Sequence, residues 1–214
     1  MLVVHIERPS NRARYVIEHV VKELIGWDLD IIDQLEEFRG ISGPKLIYSE
    51  KPLEDDLSLH VAASGWLQHT SIKPFEPEVD LQYGVPVFFP IGGTHDLFAG
   101  IFYLLSRHEE YFSGDRDEHG RLRSRDHFVV KHGIEKLPVV DLWALHLAND
   151  LQRRFPELPK PSRNYSHVVT VDIDNGLKYL GRPLWRQGGA AIRDLMKGSP
   201  ALAAERIAVL RGTK

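Results

Sequence analysis

Met1-Leu2-Val3-Val4-His5-Ile6-Glu7-Arg8-Pro9-Ser10-Asn11 opens the chain with an apolar run, a charged and proline break, and two residues suited to capping a helix. Leu2–Ile6 is short and apolar enough for a buried strand, and Ser10 or Asn11 can cap a helix begun at Arg12. From Arg12 to Leu24, Tyr15, Val16, Val20 and Leu24, with Ile17 and Val21 beside them, recur at helical spacing, and Gly26 closes the helix. Asp28–Ile32 and Lys45–Tyr48 then read as strands separated by the turn signal Gly40-Ile41-Ser42-Gly43-Pro44. This β-α-β-β opening predicts a layered α/β domain.

Further along, Pro74, Pro77, Pro86 and Pro90 punctuate the chain, so Val85–Phe89 is expected only as an edge strand. A helix is predicted from about His95 to Phe112, with Thr94 as N-cap and Leu97, Ile101, Leu104, Leu105 and His108 on one stripe. A second is predicted from Val140 to Phe155, with Val140, Trp143, Leu147, Leu151 and Phe155 inward. The proline-rich stretch 156–164 reads as a stiff linker, which places a first α/β domain at 1–160 and a second segment at 165–214. Beyond the linker, His167–Ile173 is a β-branched run expected as a strand. The tail is expected to be helical in two pieces, weakened at Gly188-Gly189 and restarted at Ser199-Pro200.

Composition narrows the function classes. A net charge of −3 and an interspersed charge pattern give no basic field for nucleic acid. The absence of cysteine removes disulfides, thiolate catalysis and zinc–sulfur sites. No run approaches a membrane span, and no signal peptide opens the chain, so a cytoplasmic protein is the expectation.

Alternation along a strand puts Thr170, Asp172 and Asp174 on one face, and Asn175-Gly176 ends the run. Two carboxylates at a strand's C-terminal edge suit a catalytic or cation site, or two solvated acids capping the next segment. Thr170-Val171-Asp172-Ile173-Asp174-Asn175 resembles the opening motif of the polysaccharide deacetylase (NodB-like carbohydrate esterase) family. Leu97-Phe98, the segment Leu104–Tyr111, Asp117–Arg121 and Pro138–Trp143 resemble an uncharacterised domain that precedes such deacetylases.

The resemblance implies the first βα segment of a (β/α) deacetylase-like barrel after an N-terminal accessory domain. It implies Asp172 as the general base, Asp174 as a ligand of a divalent metal, most often zinc, and an N-acetylated glycan as substrate. The family's remaining ligands are two histidines four apart. No two of the eleven histidines here, at 5, 19, 60, 69, 95, 108, 119, 127, 132, 146 and 167, are three or four apart. The barrel would be truncated, and the expectation is an inactive chain that binds no metal. The alternative is a non-catalytic binding or docking module with a structural C-terminal segment. A lone strand at 167–173 would expose two edges, so self-association through it is also expected.

Three other stretches, and four dispersed aromatics, imitate functional features. Asp115–Asp126 imitates a calcium loop but carries His119 at an oxygen position and three arginines, which favours a glycine-centred turn. His108-Glu109-Glu110 lacks a zincin's second histidine, so His108 reads as a core residue, with a binding or docking role left open. Gly92-Gly93-Thr94 reads as a loop rather than an anion cradle. Core packing accounts for most of Trp66, Tyr83, Trp143 and Trp185, with sugar stacking the alternative.

Overall fold

The computed structural model describes residues 1–54, 57–82, 84–112, 115–161, 166–172 and 178–212. The chain divides into two compact units, Met1–Asn164 and Tyr165–Lys214.

In the first unit, β1 (Leu2–Ile6) leads to α1 (Asn11–Glu18), whose last turns, His19–Ile25, widen into a π-helix. Ser10 is the cap, its hydroxyl accepting from Ala13 N at 3.1 Å, and Gly26 ends the helix at φ +83°. Then come β2 (Leu29–Ile32), α2 (Leu35–Gly40), β3 (Lys45–Ser49) and β4 (Leu59–Ala62). All four strands are parallel, in the order β2-β1-β3-β4.

The sheet is covered on both faces, which is why β1 and β3 are apolar almost throughout. Leu2, Val4, Ile6, Leu46 and Tyr48 face the main core with Val16, Ile17 and Val20 of the first helix. Val3 and Ile47 face the other way, onto Phe38 of α2. The period-two alternation thus assigns each strand residue to one core or the other.

Two short hairpins come next. β5 (Val79–Gln82) pairs antiparallel with β6 (Val85–Phe88), and β7 (Pro90–Ile91) with β8 (Thr94–His95). After them are α3 (Leu97–Leu105), α4 (Phe128–Lys131) and α5 (Val139–Arg154). Trp143 of α5 is buried, edge-on to Phe88, with its indole N–H donating to Pro86 O at 3.0 Å.

Several expectations need correction. The helix predicted over 95–112 is shorter at both ends. Thr94 and His95 belong to β8, and Asp96 is the N-cap, accepting from Ala99 N at 2.9 Å. The helix stops where Arg107 turns left-handed at φ +48°, and His108–Tyr111 is a separate 3-10 turn. The supposed linker is also tied down at its start. Pro159 O accepts from Trp27 Nε1 at 3.0 Å and Gln152 Nε2 at 2.9 Å, while Phe155 and Leu158 are buried.

In the second unit, α6 (Leu184–Met196) packs on α7 (Pro200–Leu210) around a buried arginine. Arg206 donates to Gln187 Oε1 at 2.9 Å and Asp194 Oδ2 at 2.8 Å, and its guanidinium lies 4.6 Å from the centre of the Tyr179 ring. The strand expected at 167–173 is absent from its described part, 167–172, which is irregular and pairs with no sheet. Val168, Val169 and Val171 there are 78%, 74% and 75% exposed. β-propensity alone does not make a strand; a strand needs a partner for its backbone. The first βα unit of a barrel, expected over 165–214, therefore lacks its strand among the described residues. No helix among the described residues is long and apolar enough to cross a membrane.

Candidate functional site

In open parallel sheets the usual ligand position is the crevice at the carboxyl ends of the strands, where the order reverses. Here that point lies between β1 and β3, and its side chains are already engaged with one another. Arg8 pairs with Glu50 at 3.4 Å, and the Glu7 carboxylate accepts from Glu50 N at 2.9 Å. The remaining space is about 90 Å³, room for a few waters only.

The larger opening runs along the sheet's edge. β4 is the last strand, and Ala63 N donates to Ser49 O at 2.9 Å, so residues 59, 61 and 63 turn their backbone groups toward β3. The intervening His60 and Ala62 turn theirs outward, and among the described residues no hydrogen bond reaches those N–H and C=O groups. This free edge forms one wall of a cleft of about 620 Å³, with all four residues of β4 lining it. Val85, Val87, Leu97 and Leu147 form the apolar side, and Gln82, His95, His146, Asp150 and Arg153 supply polar groups. That volume lies inside the range of about 300–1,000 Å³ usual for ligand pockets.

His95 is the best-placed polar group in the cleft. Its Nδ1 donates to Gln82 Oε1 at 2.9 Å, which leaves Nε2 as the bare lone pair. Nε2 is buried and has no hydrogen-bond partner. Burial holds the imidazole pKa below its ordinary value, so the ring is neutral at pH 7. Asp150 and Arg153 pair with each other, so they do not add a net charge to the cleft. His60 is engaged through Nε2 with Ser49 O at 2.9 Å. The arrangement can accept and donate hydrogen bonds to a neutral ligand. Among the described residues it contains no nucleophile held against a base.

The other sequence candidates are dispersed. Asp172 is exposed on the irregular segment of the second unit, and Asp174 lies outside the described residues. Among the described residues, no group of three His, Asp or Glu side chains stands close enough to hold a metal. In the loop that imitates a calcium site, Asp117 Oδ1 accepts from His119 N and Arg121 N, both at 2.9 Å, and Oδ2 accepts from Arg121 Nε at 2.9 Å. The carboxylate closes a tight turn, and these hydrogen bonds, the one from Arg121 N foremost, lower its pKa.

His108 is buried, its Nε2 bonded to Lys73 O at 2.9 Å and its ring against Trp66. Gly92 and Gly93, at φ +54° and +80°, form the two-residue turn between β7 and β8. Trp66 is half-buried among Phe75, Phe89 and Phe102, and Trp185 is exposed; Tyr83 lies outside the described residues. Sequence reasoning missed His60, Gln82 and His95 because β4, β5 and β8, which carry them, are strands of two to four residues, too short and mixed to announce themselves.

The fold and the cleft define a small α/β domain with a four-stranded parallel sheet, helices on both faces and a cleft along the edge strand β4. The chain belongs to DUF7033, a family of unknown function, whose model matches residues 2–156. No curated protein and no solved structure matches it. This overturns the recognition drawn from Thr170–Asn175: the family found is one of unknown function, and no deacetylase family matches. The base and metal-ligand roles of Asp172 and Asp174 had only that resemblance behind them.

Proposed function

We propose that this chain is a non-catalytic binding module whose ligand lies in the cleft along β4. The observation that carries the reading is the pairing of an unsatisfied backbone edge, at His60 and Ala62, with the buried, unpartnered Nε2 of His95 in one cavity. The buried Nε2 costs about 1–3 kcal/mol when left without a partner, and a ligand that donates to it recovers that cost. The ligand chemistry this selects is a neutral amide, as found in an extended peptide backbone or in the acetamido group of an N-acetylated glycan.

Amide NMR titration with a Thr-Val-Thr-Val-Thr peptide and with chitotriose tests it. Shifts centred on His60, Ala62 and His95 are expected for at least one of the two. Shifts centred elsewhere, or none with either probe, would overturn the reading.

A further inference from the structure

The chain holds two unmet requirements of the same kind. One is the free edge of β4, four residues long, or about 13 Å at roughly 3.3 Å per residue. It lines a cleft, and its sequence Leu59-His60-Val61-Ala62 and regular pairing register carry no lysine, proline or bulge that would blunt it. The other is the run His167-Val168-Val169-Thr170-Val171, rich in β-branched residues, without a sheet partner, and with each of its valines about three-quarters exposed. Exposed backbone and valine side chains of this kind are what sheet pairing removes from water.

We propose that the occupant of the β4 cleft is a second copy of this chain, which adds its 167–171 run to the edge as a fifth strand. This rests on the binding reading of the cleft and names its partner. The side-chain pattern fits. In an added strand Val169 and Val171 share one face, and Val168, Thr170 and Asp172 the other. Beside β4, the first face falls on the side of Leu59 and Val61, over the apolar wall of Val87, Leu97 and Leu147. The second falls beside His60, where Thr170 and Asp172 meet a polar neighbour instead of the core. The outward N–H and C=O groups of His60 and Ala62 gain backbone partners, as in other strand-addition complexes. Each copy carries both the run and the edge, so the two copies can offer each other the same contact.

Sedimentation velocity of the full chain over a wide concentration range tests the proposal. Wild type is expected to form a concentration-dependent dimer. Val169→Pro lies on unpaired, exposed backbone and leaves the fold alone, yet removes a pairing donor and the strand geometry. It is expected to weaken dimerisation at least about tenfold. Ala62→Pro deletes a donor that faces the cleft and not β3, which an edge strand tolerates, and should act in the same direction, with circular dichroism confirming its fold.

A wild type that stays monomeric throughout, or a Val169→Pro chain that dimerises as well as wild type, overturns the inference. The probe titration, run also on the Val169→Pro chain, whose own run no longer fills the cleft, keeps the two readings apart. Ligand shifts at His60 and Ala62 in a monomeric wild type would leave the binding module standing and remove only the second copy as its partner.

Discussion

The Tyr48 hydroxyl, at the end of β3, donates to the carboxylate of Asp96 at 2.8 Å and so joins the parallel sheet to the first turn of α3. Both residues are buried, Asp96 completely. Burial raises the pKa of each, and hydrogen bonds from Ala99 N, Ser64 N, Ser64 Oγ and Tyr48 act in the opposite direction on Asp96. One carboxylate therefore anchors β3, the turn after β4 and a helix N-terminus together. Tyr48→Phe is expected to lower stability by about 1–3 kcal/mol, the usual cost of removing one partner of a buried hydrogen bond. Urea unfolding measures it, and an unchanged midpoint would show that the remaining donors suffice.

The depressed pKa of His95 gives a pH signature. The folded state disfavours the charged ring, so the unfolded chain binds more protons once the pH drops below the ordinary histidine value near 6.5. The stability associated with neutral His95 is therefore complete above that value and is lost as pH falls from it toward the lower folded-state pKa. His95→Gln has no such proton to take up. The difference in stability between wild type and His95→Gln, followed by urea titration, should shift against wild type as the pH falls below 6.5. A difference that stays constant across that range would mean the ring is not held neutral by its site.

Gly100 of α3 lies against the Trp143 ring of α5. A Cβ built there would stand 3.2 Å from the Trp143 ring and 3.6 Å from Phe88. Trp143 cannot easily yield, since it is buried and fixed by its bond to Pro86 O. Gly100→Ala is thus expected to destabilise by about 1 kcal/mol or more, although alanine is the better helix former. Thermal unfolding reads the sign directly; a raised midpoint would show that the ring shifts at little cost.

In the second unit, Arg206 holds Gln187 and Asp194 of α6 and covers Tyr179. Arg206→Ala strands Asp194, whose side chain is only 14% exposed, and should cost about 3–5 kcal/mol, the usual penalty for breaking a buried ion pair. Limited proteolysis of wild type is expected to begin at the exposed 166–172 segment, sparing the tethered residues 156–159. In the variant, cuts should also appear early within 184–210. Equal resistance of α6 and α7 in both proteins would assign their pairing to other contacts.

Local pattern was enough for much of the first unit. β1, α1 with its Ser10 cap, β2, β3 and α5 lie close to where periodicity puts them, because each has a long or pure enough apolar pattern to bury one face unaided. Pattern failed where neighbours distant in sequence decide. Asp96 rather than Thr94 became the cap because Tyr48 and Ser64 converge on it, 48 and 32 residues away. β4 is a strand because β3 offers it an edge, whereas the stronger β run at 167–172 is not one because no strand pairs with it. The amino-acid order by itself determined an α/β domain, its first strands and its long helices, since those depend on contacts between near neighbours. Only the tertiary structure decided the cleft, because a free edge, an unpartnered imidazole and an apolar wall come from separate elements that packing alone brings together.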